Sequence, residues 1–180
     1  MSASLGQLAT LTGSWALDPA RSSVQLTSKA MGLFPVRGRF REVSGTGTIG
    51  PDGQASGTLT MAAASIDTGL TRRDTHLRSA DFFDSDQHPD ITFTAQRVRP
   101  AGPGAGVIGA LTVRGTTRPL SFEAAVSAPA EGEIVLDTTV PVNRADFGLT
   151  WNMLGMTAML STVTVHAVFV ARPGREGSGS

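Results

Sequence analysis

Apolar and polar residues alternate with a period of two along most of this chain. That alternation sets one face of a strand against a core and leaves the other in water. Eight segments carry it. The first runs from Trp15 to Lys29, with Val24 and Leu26 on one face and Gln25 and Thr27 on the other. The second covers Val36 to Ile49. The third, Gln54 to Ile66, aligns Leu59, Met61 and Ala63. The fourth, Asp90 to Arg99, alternates Ile91, Phe93 and Ala95 with Thr92, Thr94 and Gln96. The fifth carries Val107, Gly109, Leu111 and Val113, and the sixth Leu120, Phe122, Ala124 and Val126. The seventh, Glu133 to Val142, carries Ile134, Leu136 and Val140. The last, Met159 to Ala171, carries Val163, Val165, Ala167 and Phe169.

Glycine and proline punctuate these segments. Pro51-Asp52-Gly53 predicts a turn, because proline presets φ and glycine accepts a positive one. Pro100 to Gly106 predicts a loop, and Arg114 to Thr117 a turn. The spacing leaves no room for several crossover helices, so the strands are expected to pair antiparallel. Closing them into an eight-stranded barrel removes every exposed edge. One segment departs from the strand pattern. Thr71 to Asp84 reads as helix, with Thr71 and Asp74 spaced as a capping box and Asp74 and Arg78 as a favourable i,i+4 pair. Ser79 is placed to cap a second short turn through Phe82 and Phe83. The fold class is therefore all-β, an antiparallel barrel with one or two short helices.

A chain of 180 residues fits one such unit, expected over residues 13–171, with 1–12 and 172–180 as flexible ends. The formal net charge is zero, and charged residues make up 17% of the chain with no basic run. Nucleic acid is therefore not an expected partner. There is no cysteine, which excludes disulfides and thiolate metal sites. The first residues lack the basic and apolar regions of a secretory signal, and no run of apolar residues is long enough to span a membrane. A cytoplasmic location is expected on that reading.

Catalytic and metal motifs are sparse. Gly45-Thr-Gly47-Thr-Ile-Gly50 matches a dinucleotide-binding spacing, but a turn and another strand follow where a helix is required. His76, His88 and His166 do not pair at ligand spacing, and no nucleophile elbow occurs. His166 falls on the polar face of its strand. His76 lies among Arg72, Arg73, Asp74 and Arg78, either as part of a helix-surface network or beside a ligand head. Asp81, Asp84 and Asp86 are explained as caps and turn residues.

The apolar irregular segments are more informative. Met31, Leu33 and Phe34, the pair Phe82 and Phe83, and Trp151, Met153, Leu154, Met156 and Met159 fall where polar loops are the norm. They either plug a barrel end or line the mouth of a tunnel; methionine suits an adaptable apolar pocket. Strand parity assigns the lumen to Val24, Leu26, Phe40, Leu59, Met61, Phe93, Leu111, Phe122, Leu136, Val165 and Phe169. It leaves Phe34, Phe82, Phe83, Trp151, Met153 and Leu154 for the mouth. A slip of one residue, or a bulge, would invert any of these strands.

Several blocks resemble the YceI-like family of polyisoprenoid-binding, lipocalin-like proteins. They are Trp15-Ala-Leu-Asp18-Pro, Gly38-Arg-Phe40, Ser44-Gly45 and Ser65-Ile66-Asp67-Thr68. The longest is Arg73-Asp74-Thr-His76-Leu77-Arg-Ser79-Ala-Asp81-Phe82-Phe83-Asp84 with His88-Pro89-Asp-Ile91-Thr-Phe93. Gly109-Ala-Leu111-Thr-Val-Arg-Gly115-Thr116-Thr-Arg-Pro119 and Arg144-Ala-Asp146-Phe147-Gly148 complete the order. The resemblance implies a lipocalin-like barrel with an elongated apolar cavity for a polyisoprenoid or quinone-like chain, and a homodimer as a plausible assembly. It also implies a secretory signal in many members, which this sequence lacks. His88 replaces an aromatic residue usual in the family, and with no tyrosine in the chain a phenolic contact to a head group is not possible.

Two readings of function follow. The first is a non-catalytic carrier or sequestering protein for an isoprenoid, quinone or similar amphiphile, with no cofactor beyond that bound lipid. Arg73, Asp74, His76 and Arg144 either meet the polar head or pair with one another and with loop carbonyls. The second is an isomerase- or cyclase-like enzyme acting in the same cavity, with His76, Asp74 or Arg73 as acid or base, provided that group faces the substrate. An interaction module with a vestigial pocket is a third.

Overall fold

The computed structural model describes residues 10–30, 34–149 and 160–173. Its strands are β1 (Gly13–Leu17), β2 (Ser23–Ala30), β3 (Phe34–Phe40), β4 (Val43–Ile49), β5 (Ala55–Ala62), β6 (Ile66–Asp67), β7 (Asp90–Ala101), β8 (Gly104–Val113), β9 (Thr116–Ser127), β10 (Glu133–Asn143) and β11 (Leu160–Ala171). All pairings are antiparallel. The ring runs β1, β4, β5, β7, β8, β9, β10, β11 and closes from β11 back to β1. β2, β3 and β6 continue the walls made by β1, β4 and β5, so the barrel is one of eight walls, as the alternation predicts.

Three predicted strands are interrupted at corners. The first breaks at Asp18–Ser22, where the Asp18 carboxylate accepts from the Ala20 N–H and from Arg21 Nε. The second breaks at Arg41 and Glu42. The third gives way to a 3-10 turn at Ala63–Ser65, where the Ser65 hydroxyl donates to the Ala62 carbonyl at 2.7 Å. Side chains that bond the backbone locally compete with the ladder and mark such corners.

The turns follow their chemistry. Gly53 has φ +78°, as the Pro51-Asp52-Gly53 reading requires. Arg114 and Gly115 both have positive φ, 49° and 74°, the geometry of a two-residue hairpin whose twist matches its strands. The predicted loop from Pro100 to Gly106 is instead a tight hairpin: β7 continues to Ala101 and Pro100 pairs with Ala105. Proline is tolerated there because β5 pairs with β7 only as far as Val98, leaving that edge without a ladder partner. Pro119 and Pro141 have the same explanation. β9 and β10 pair only over Ala125–Ser127 and Val135–Asp137. Elsewhere along this seam the Thr138 hydroxyl donates to the Glu123 carbonyl at 2.7 Å.

The helix is shorter than the pattern suggests. α1 (Thr71–Arg78) ends where the Ser79 hydroxyl and N–H both bond the His76 carbonyl, and turns carry the chain through Phe82 and Phe83. The capping box does not form. Leu70 is the N-cap, without a side-chain cap bond, and the Asp74 carboxylate reaches back to Thr68. Nor do Asp74 and Arg78 pair as spaced: Arg78 donates to the Ala64 and Ile66 carbonyls, tying α1 to the β5–β6 wall. Among the described residues no helix is long and apolar enough to cross a membrane.

Two apolar clusters occupy the interior. The larger, with Phe40, Met61, Ile66, Phe82, Phe83, Leu111 and Phe147, lies toward α1. The smaller, Trp15, Ile49, Ala105, Val126 and Ile134, fills the other end.

Candidate functional site

Between these clusters runs an apolar cavity of about 270 Å³. It is lined from every wall of the barrel. Inward positions on four neighbouring strands carry almost no bulk: Gly47 on β4, Ala55 and Gly57 on β5, Ala95 on β7 and Ala105 on β8 all line it. Larger side chains at such positions fill small barrels completely; their absence here leaves the lumen open. Gly57 could not be larger, since a Cβ there would lie 2.6 Å from the Thr46 carbonyl oxygen.

Val24, Leu26, Phe40, Leu59, Met61, Phe93, Leu111, Phe122, Leu136, Val165 and Phe169 all line the cavity. Phe82 and Phe83 line it too. Both are buried, at 8% and 5% exposure; they meet edge to face at 4.7 Å, and Phe83 packs on Phe40 at 6.0 Å. The backbone of Phe34 opens β3, but its side chain, with Trp151, Met153 and Leu154, lies outside the described residues. The parity reading missed Val98. A bulge between Ala95 and Arg97 shifts the register by one, so β7 turns from odd to even inward positions and Val98 lines the cavity beside Ala95. It also missed Trp15, which closes the far end with its indole N–H donated to the Leu11 carbonyl at 3.0 Å.

The four head-group candidates separate. Arg144 lines the cavity and is 4% exposed. The Asn143 side chain accepts from the Ala145 N–H and starts a 3-10 turn over Arg144–Phe147. Gly148, at φ +71°, reverses the chain so that Leu149 N–H bonds the Arg144 carbonyl at 3.1 Å while Arg144 Nη1 donates to the Leu149 carbonyl at 2.8 Å. The guanidinium carbon lies 5.9 Å from the Phe82 ring centroid. Burial pushes the Arg144 pKa down from its ordinary value, but an arginine starts so high that it stays charged.

Arg73, Asp74 and His76 are not among the lining side chains. Asp74 is buried at 6% exposure and accepts from the Thr68 N–H at 2.9 Å and its hydroxyl at 2.5 Å. Arg73 donates to the Thr68 hydroxyl and carbonyl. His76 Nε2 stands 3.9 Å from the Asp81 carboxylate. These groups clamp α1 to the barrel, so the acid–base trio named for an enzyme is placed away from the lumen. His88 lies against the Gly115 turn, and His166, exposed, pairs with Asp137 at 2.6 Å. Among the described residues no His, Asp or Glu cluster is arranged to hold a metal ion.

The YceI-like domain family matches residues 15–171. Protein YceI of Escherichia coli is 38% identical over 96 residues, 52% of this chain and 50% of that protein. The match thus spans about half the length of the first such relatives. A UPF0312 protein of Staphylococcus aureus is 31% identical over 143 residues, 75% of this chain and 81% of that one. Among solved structures, Burkholderia cenocepacia BcnA superposes with a TM-score of 0.77 at 25% identity, covering 84% of this chain and 98% of BcnA. A polyisoprenoid binding domain from Saccharophagus degradans gives 0.74 at 18% identity, covering 88% and 98%; it supports the fold alone.

Proposed function

Because the chain belongs to the YceI-like domain family, we propose that its barrel binds one long apolar chain, isoprenoid or quinone-like, and carries or sequesters it. The observation that carries this reading is the continuous apolar lumen lined from every wall, open where Gly47, Gly57 and Ala95 withhold side-chain volume. A solved relative of the same fold is described as a polyisoprenoid binding domain, which supports the same choice of ligand. Each buried methylene contributes about 0.8 kcal/mol. A tail burying about ten such units gains about 8 kcal/mol, comparable with the entropic cost of association, about 4–15 kcal/mol. Only a long tail therefore binds well without hydrogen bonds. The cavity lies near the lower end of ligand pockets, about 300–1,000 Å³, so Met61 and the phenylalanines shift rotamer as the tail enters.

Trp15 at the closed end is a built-in reporter. Titrating a Trp151→Phe variant with prenyl alcohols of increasing length, followed by the emission of Trp15, tests the reading. Affinity is expected to rise with length until the tail reaches the Trp15 cluster, with the emission changing at that length. No binding at any length would remove the proposal.

A further inference from the structure

The lumen changes character along its axis. Toward Trp15 it is apolar; toward α1 it acquires a charge and hydroxyls. Arg144 is the one ionisable side chain among the described residues that line the cavity. Ser161, also lining it, is 7% exposed and pairs with Val142, two residues before Arg144. The β2–β11 register, which ends at Thr27 and Thr162, continues to Ser28 and Ser161. Ser28 shares its strand face with Val24 and Leu26, and its hydroxyl oxygen is buried without a hydrogen-bond partner. A buried hydroxyl left in that state costs about 1–3 kcal/mol, which a ligand acceptor atom at this end would relieve.

From this juxtaposition we propose that the amphiphile carries an oxyanion head, a carboxylate or phosphate, seated at the Arg144 end beside Ser161 and Ser28 while its tail runs toward Trp15. The inference rests on the cavity-binding reading above and specifies the ligand class. A guanidinium facing an apolar lumen creates a positive potential in a medium of low dielectric, where charge is weakly screened. A neutral head takes hydrogen bonds from it; an oxyanion takes the same bonds with charge assistance, which roughly doubles their strength. The hydroxyls of Ser161 and Ser28 donate to the same acceptor. Phe82, beneath the guanidinium, fixes its plane.

Palmitate, hexadecanol and hexadecylamine, of equal chain length and used below their micellar concentrations, separate the possibilities by calorimetric titration of the intact chain. The expected order is acid, then alcohol, then amine, with acid over alcohol by about 10- to 100-fold. Arg144→Gln is expected to abolish that preference while leaving the alcohol unchanged. If Arg144→Gln does not fold, Ser161→Ala, which removes one donor, is expected to narrow the preference, and the wild-type order of the three probes decides the matter alone. Equal binding of acid and alcohol, or an amine preferred over both, overturns the oxyanion head and leaves the apolar cavity standing. Failure of all three to bind overturns both.

Discussion

The ring of Phe93 lies across Gly109 of the neighbouring strand: a Cβ built on Gly109 would come within 2.7 Å of the ring's Cζ. Phe93 in turn packs on Phe122 at 5.3 Å. A large lumen side chain is thus accommodated by a missing one, and the pair sets the bore of the barrel at this level. Gly109→Ala is expected to destabilise the fold by about 1–3 kcal/mol, because the added methyl meets both this ring and the Thr94 carbonyl of β7. Urea unfolding with an unchanged m-value measures it; no shift in midpoint would refute the close approach.

Removing the charge of Asp74 tests the clamp on α1. Asp74→Asn leaves one amide oxygen to serve both Thr68 donors and brings an N–H₂ that needs acceptors of its own. A loss of about 1.5–3 kcal/mol is expected from weakening hydrogen bonds to a buried carboxylate. Prenyl alcohol affinity is expected to stay within twofold, because Asp74 does not line the cavity. An intact fold with abolished binding would mean that this carboxylate serves the ligand after all.

Acid sensitivity follows from Asp67. The Gly69 N–H, then the Arg41 guanidinium and the more distant Arg39, hold its carboxyl below the ordinary carboxylate range. A folded pKa below the unfolded value means that the stabilisation is complete above that range, about pH 4, and is lost as pH falls through it to the depressed folded value. Asp67→Asn is therefore expected to lower the Tm at neutral pH and to flatten its decline below about pH 4. An equal decline in both proteins would deny Asp67 this part.

Filling the lumen separates capacity from stability. Ala95→Leu places a branched side chain where Ala95 and Gly57 leave space, without adding polarity. Stability is expected to hold or rise by about 0.5–2 kcal/mol, as for other cavity-filling changes, while affinity for a long tail falls at least tenfold. Unimpaired binding with raised stability would place the tail elsewhere.

Much of this barrel is written in the sequence because a strand has only two faces. Once alternation fixed the parity of Leu59, Phe93 or Phe122, the inward direction followed, and burial of one face allowed no slip. The failures are local. Gln96 adds a residue to β7 without breaking the alternation strongly, so the entry of Val98 into the lumen was hidden. Thr71 and Asp74 have capping-box spacing, but Thr68, three residues earlier, offers two donors to the same carboxylate and wins. The charged candidates read alike in one dimension. Only the fold distinguishes Arg144, turned inward by the Asn143 and Gly148 turn, from Arg73, spent on Thr68.

The most direct test of the whole account is mass spectrometry of an organic extract from the natively purified chain, with Ala95→Leu purified in parallel. The expected result is a single class of long-chain lipid recovered at up to one molecule per chain from the wild type and sharply reduced in the variant. A wild-type extract containing no lipid, from protein that also refuses prenyl and acyl probes added afterwards, would contradict the claim that this lumen exists to hold a tail.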